Sequence, residues 1–193
     1  MTDGLSAEYN RQVFPDGNHF DKDTRIWCIT FVIGDGQTIT CMHKLNGVRT
    51  LPRYYRHKNG TLLNTTLAQH LPECGEVPDE IDGHFVKQFV NYKSFLEYIA
   101  KVIDKFNGNI YFKGWYDHDY DKDVLKHNFD KYDITCQGLN KMVNCHINNN
   151  EWVKTVEQRK AGGWIHPHDY MTNAIKHNIE DAEQLMEIIN NKG

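Results

Sequence analysis

The chain reads as an α/β (or α+β) protein with a mixed β-sheet flanked by helices, and three observations predict this. A β-hairpin stands near the start, helix and strand alternate after it, and a helix ends the chain. The hairpin comes first. Arg25-Ile-Trp-Cys-Ile-Thr-Phe-Val-Ile33 is rich in β-branched and aromatic residues, stops at Gly34-Asp35-Gly36 and resumes at Gln37-Thr-Ile-Thr-Cys-Met42. Residues 44–84 carry three prolines and no sustained period, so an irregular excursion is expected there, with a short strand around Arg53-Tyr54-Tyr55. Residues 92–106 form the clearest helix. Phe95, Ile99, Val102, Ile103 and Phe106 make one apolar stripe, which Asn107-Gly108 closes. Residues 109–113 read as a strand in the same sheet as the hairpin. A second helix runs from Asp119 or Tyr120 to about Phe129, Ile134-Thr-Cys136 as another strand, and the last helix starts near Asn178.

Composition bounds the function classes. The 193 residues are 39% hydrophobic and 25% charged, which suits a single globular domain over the whole chain. No apolar run approaches the roughly 18 residues of a membrane helix, and the first residues lack a signal-peptide pattern. Five cysteines without a CxxC pair read as reduced thiols in a cytoplasmic protein. The net charge of −4 argues against holding nucleic acid by broad phosphate neutralisation. It leaves open an enzyme whose carboxylates gather cations, because bound metal reverses the local field.

Two carboxylates break the helical patterns. Asp121, Leu125 and Phe129 fall at i, i+4 and i+8, and Asp181, Leu185 and Ile188 at i, i+4 and i+7. A carboxylate on a core-facing stripe must be paired, hydrogen-bonded or metal-bound, since an isolated buried charge is costly. The structural alternative has equal weight. Asn178-Ile-Glu-Asp181 has capping-box spacing, and an acid in a first turn suits the helix dipole. The run Asp117-His-Asp-Tyr-Asp-Lys-Asp123 fails as a calcium loop, because neither register supplies the required glycine and glutamate. A zinc site at His166 and His168 with Cys145-His146 matches no tight ligand spacing.

The segment Asn109-Ile-Tyr-Phe-Lys-Gly-Trp-Tyr-Asp-His-Asp-Tyr-Asp-Lys-Asp-Val-Leu-Lys-His-Asn-Phe129 resembles the second motif of the DEDD 3′–5′ exonucleases, the proofreading and ribonuclease-T-like group. There a strand ends near the site and an Asp is followed four residues later by Leu, as Asp121 is by Leu125. Asp117 stands where that family usually has Asn. His177-Asn-Ile-Glu-Asp181-Ala182 resembles the third motif, with His177 in the place of the general base. Three residues separate His177 from Asp181, the spacing of the family's tyrosine subgroup, whereas its histidine subgroup has four. Met1-Thr2-Asp3-Gly4 resembles the end of the first motif, Asp-x-Glu-Thr-x-Gly, with Met1 in the place of Glu and the central first strand absent ahead of it.

The resemblance implies a ribonuclease-H-like fold whose first strand is missing. It also implies two magnesium or manganese ions held by carboxylates, here Asp121 and Asp181, with His177 taking the proton from the attacking water. The substrate implied is the 3′ end of single-stranded DNA or RNA, read by stacking on Trp115 and Tyr116 beside Asp117, with Trp164 and Tyr170 as further aromatics. The carboxylates of Asp121 and Asp181 are expected within about 4–8 Å of each other, since paired metals sit about 4 Å apart. With only these two ligands the chain is expected to hold magnesium weakly and to cut slowly or not at all. The alternative is a catalytically dead ribonuclease-H-like module that binds nucleic acid or a protein.

Overall fold

The computed structural model describes residues 2–4, 26–44, 52–56, 62–66, 77–107, 109–112, 119–147 and 170–192. Its frame is a five-stranded mixed sheet. The order is β1 (Thr2–Gly4), β2 (Ile26–Val32), β3 (Thr38–His43), β7 (His84–Phe89), β6 (Glu80–Ile81). All pairs are antiparallel except β3 with β7. Between β3 and β6 in sequence, β4 (Pro52–Arg56) and β5 (Leu62–Thr66) form a separate antiparallel pair.

The predicted hairpin is present as β2 and β3. Its turn closes through Ile33 N–H to the Gln37 carbonyl and Gly36 N–H to the Ile33 carbonyl, both 2.8 Å. Gly36 supplies the positive φ of 85° that this turn needs. Within 44–84 the described residues include the short strand expected around Arg53-Tyr54-Tyr55, as β4, and a further strand, β7, follows a turn the sequence announces. Asp82 and Gly83, with φ of 50° and 84°, make a two-residue turn that joins β6 to β7. The Asp-Gly dipeptide ahead of His84-Phe-Val-Lys-Gln-Phe89 is the signal that announces it.

Three α-helices are found among the described residues. Helix α1 (Tyr92–Lys105) starts where Asn91 Oδ1 accepts from Ser94 N–H at 2.9 Å, and it stops before Asn107, whose φ is 45°. Phe95, Leu96, Ile99 and Ile103 pack from α1 onto Ile29 and Cys41 of the sheet. Helix α2 (Tyr120–Lys131) adds Val124, Leu125 and Phe129 to the same core. Helix α3 (Tyr170–Lys192) runs along β2 and β1. Its Glu183 carboxylate lies 3.5 Å from His84 Nε2, and His84 Nδ1 lies 2.8 Å from Thr38 Oγ1. Alternation along β3 puts Thr38 on the face opposite Cys41, so α3 covers the face that α1 does not.

Three expectations are corrected. The strand expected at 109–113 does not join the hairpin's sheet, which counts against the exonuclease resemblance: β8 (Tyr111–Phe112) pairs in parallel with β9 (Val143–Asn144) as a separate two-stranded ladder. Ile134-Thr-Cys136 is not a strand. After Asp133 turns at φ 54°, the chain folds under α1, where the Cys136 thiol lies 3.5 Å from Asp104 Oδ1. Finally, α3 begins at Tyr170 rather than near Asn178. Asn178 is interior to the helix and 3% exposed, so it does not cap it.

Candidate functional site

Asp121 lies in the first turn of α2 and is 7% exposed. The residue before that helix is itself anchored: Asn144 Nδ2 donates to Asp119 Oδ1 at 2.8 Å, which ties the start of α2 to β9. Asp119 therefore has a structural task, and Asp121 is carried inward one helical step behind it. Asp181 sits in the middle of α3 and is 8% exposed. Its burial does not come from a helix start, so the capping and dipole explanation offered for it falls with the corrected boundary. His177 lies one turn earlier on α3, half-buried, its Nε2 3.4 Å from Asp181 Oδ2.

Of these side chains, Asp121 lines a cavity of about 260 Å³. Asp121 and Leu125 of α2 line it together with Ala182, Leu185, Met186 and Ile189 of α3. Ala182 directly follows Asp181, so the two acidic helix segments approach a single space from opposite faces of the sheet. The remaining walls are Ile29 to Gly34 and Asn109 to Phe112, with Phe106 and Met142, and the lining is mainly apolar.

The helix carries one group that sequence reasoning passed over. Glu180 Oε2 is buried and accepts no hydrogen bond among the described residues, and its charge acts on Lys176, four residues earlier. The Lys176 ammonium is held above its ordinary range, chiefly by its 2.6 Å ion pair with Asp82. The adjacent acids Glu180-Asp181 were the available signal. Trp115, Tyr116 and Asp117 lie outside the described residues, as do Trp164, His166, His168 and the side chain of Tyr170. Of the proposed zinc group, Cys145 is half-buried and burial pushes its thiol up, which disfavours the thiolate that zinc requires.

Carboxylate oxygens are the donors that magnesium and manganese select, so Asp121 and Asp181 fit such ions in type. In number they fall short. No group of three or more histidine, cysteine, aspartate or glutamate residues placed to hold a metal ion occurs among the described residues. No described helix is long and apolar enough to cross a membrane. Comparison with protein-family models, with curated proteins and with solved structures finds no match to this chain.

Proposed function

We propose that the chain is a ribonuclease-H-like domain of the DEDD exonuclease type, acting on phosphodiester bonds at the 3′ ends of single-stranded DNA or RNA. The observation that carries this reading is the pair Asp121 and Asp181. Both are almost fully buried and belong to helices on opposite faces of the sheet; Asp121 lines the cavity, and so does Ala182, the residue after Asp181. A buried carboxylate must be paired, hydrogen-bonded or metal-bound, and a metal is the partner this reading adds. In this reading both hold magnesium or manganese, which would polarise water and phosphate. In this reading His177, whose Nε2 lies 3.4 Å from Asp181 Oδ2, is the candidate base for the attacking water. Two carboxylates are too few for a tightly held ion pair, so metal binding is weak and turnover slow.

The test has two readouts. Manganese binding, followed by electron paramagnetic resonance, is expected in the millimolar range and should be lost in the Asp121→Asn/Asp181→Asn double variant. A labelled single strand incubated with magnesium or manganese should shorten slowly from its 3′ end, and either single variant should abolish this. Metal-dependent shortening that survives both substitutions would place the active site elsewhere. Strand binding with no turnover in either metal would support a non-catalytic binding module instead.

A further inference from the structure

Strand β7 and helix α1 share a surface that the candidate site does not use. Phe85, Lys87 and Phe89 alternate along β7 and so point to one face. It is the face that α1 covers, because Lys87 stands beside Cys41 of the α1 core in the ladder with β3. Ring contacts set the direction of the helix above the strand. Phe89 packs on Phe95 and Tyr98, with centroids 5.8 and 5.3 Å apart, and Lys87 Nζ lies 4.3 Å from the centre of the Tyr98 ring. A step back along β7 is therefore a step forward along α1. Lys101 and Lys105 follow Tyr98 at i+3 and i+7 on one side of the helix, which carries them toward the Phe85 end of the strand.

The groups on this surface differ in how they are held. Phe85 leaves its ring 65% exposed. Lys87 is exposed too, but its ammonium sits over two rings, Tyr98 at 4.3 Å and Phe89 at 5.6 Å, so its position is fixed beside Phe85. Lys101 and Lys105 are exposed, and Lys105 Nζ lies 5.8 Å from the centre of the Phe106 ring. Phe106 in turn lines the cavity that Asp121 lines. Two acids border the lysines, Glu80 across the ladder from Phe85 and Glu97 on α1, so the local excess of positive charge is small. An open ring set among lysines suits a partner with flat faces on a flexible, negatively charged backbone, which is the chemistry of single-stranded nucleic acid. The small excess of charge puts stacking first and phosphate contact second, in keeping with a net charge of −4.

We propose that this surface binds single-stranded nucleic acid, with a base stacked on Phe85 and phosphates against Lys87, Lys101 and Lys105, as a tract that reaches the candidate site at Phe106. The proposal rests on the reading of nucleic acid as the partner, and not on hydrolysis.

The experiment follows the fluorescence anisotropy of a labelled oligothymidylate with the full chain in EDTA, so that binding is read without cutting. Phe85→Ala should weaken binding about tenfold, and an abasic strand of the same length should bind the parent about tenfold more weakly than the oligothymidylate. Lys101→Gln should weaken binding less and lower the slope of log Kd against log salt by about 0.7. Both substituted side chains are exposed, so Tm should not move. Lys126→Gln, on the exposed side of α2, should bind as the parent does. No binding by the parent, an abasic strand bound equally well, or equal losses at Lys101 and Lys126 would overturn the proposal. A second arm adds magnesium. Binding lost in Phe85→Ala while the parent cuts nothing supports the tract and sinks the hydrolysis; cutting by the parent with binding unchanged in Phe85→Ala does the reverse.

Discussion

Beneath α1 and between α2 and α3 the same protein builds two different interiors. Under α1, Phe95, Leu96, Ile99 and Ile103 meet Ile29 and Cys41 with no exposed surface on most of them. The polar element of that region is hydrogen-bonded on every described side. The Tyr92 hydroxyl accepts from Ile26 N–H at 2.9 Å and donates to Asn128 Oδ1 at 2.7 Å, while Asn128 Nδ2 donates to the Val124 carbonyl. Between α2 and α3, by contrast, a cavity persists and Asp121 stands at its border. A region shaped for stability alone fills its space and avoids charge; the first region does so, and the second does not.

The largest effect should come from the first region. Phe95→Ala removes a fully buried ring and is expected to cost about 3–5 kcal/mol, read by urea denaturation. Leu185→Ala, whose side chain already borders the cavity, should sit at the low end of the range for such truncations, about 2 kcal/mol. Equal losses at the two positions would break the comparison. Next in size is Tyr92→Phe. It keeps the ring but withdraws the hydroxyl that links β2, α1 and α2, with an expected loss of about 1–3 kcal/mol.

How much of this was legible follows the length and period of each signal. The hairpin and α1 were readable to within a residue or two, because each carries several periods of its own pattern. Helix α2 was readable for the same reason, although Asp121 begins its stripe with a charge. Strand β7 was not read, since its six residues alternate weakly and Phe85 stays exposed. The Asp82-Gly83 turn was a stronger sign than the strand itself. The start of α3 was misplaced because Asn178 has the composition of a cap, yet the helix buries it. The isolation of β8 could not be read locally: whether a two-residue strand joins a sheet depends on what lies beside it.

The second region has its own prediction. Asp121→Asn preserves shape and removes charge, so stability is expected to stay within about 1 kcal/mol of the parent or to rise. A loss matching that of Phe95→Ala would show Asp121 to be a structural acid and erase the contrast with the core. The same outcome is expected at Asp181, where asparagine still offers an oxygen toward His177.

The smallest effect concerns an acid that does belong to the first region. Asp104, near the end of α1, accepts from Gly138 N–H at 2.7 Å. That glycine passes so close to α1 that a Cβ there would lie 2.9 Å from the Ile103 carbonyl oxygen. The same carboxylate faces the Cys136 thiol, which is pushed up to about 11 by burial first and by Asp104 second. Both influences disfavour the thiolate, so near pH 8.5 the reactive fraction is well below that of an ordinary cysteine. Asp104→Asn keeps an oxygen for Gly138 and removes the charge, leaving burial in place. Stability should change by no more than about 0.5 kcal/mol. The thiol pKa should fall part of the way toward its usual value, and alkylation of Cys136 near pH 8.5 should speed up by less than about tenfold. Cys41, more deeply buried and raised further, should stay unreactive in the same digest and serve as the internal reference. An unchanged Cys136 rate would mean that Asp104 acts there only as a hydrogen-bond acceptor for Gly138, and that charge has no part in the region beneath α1.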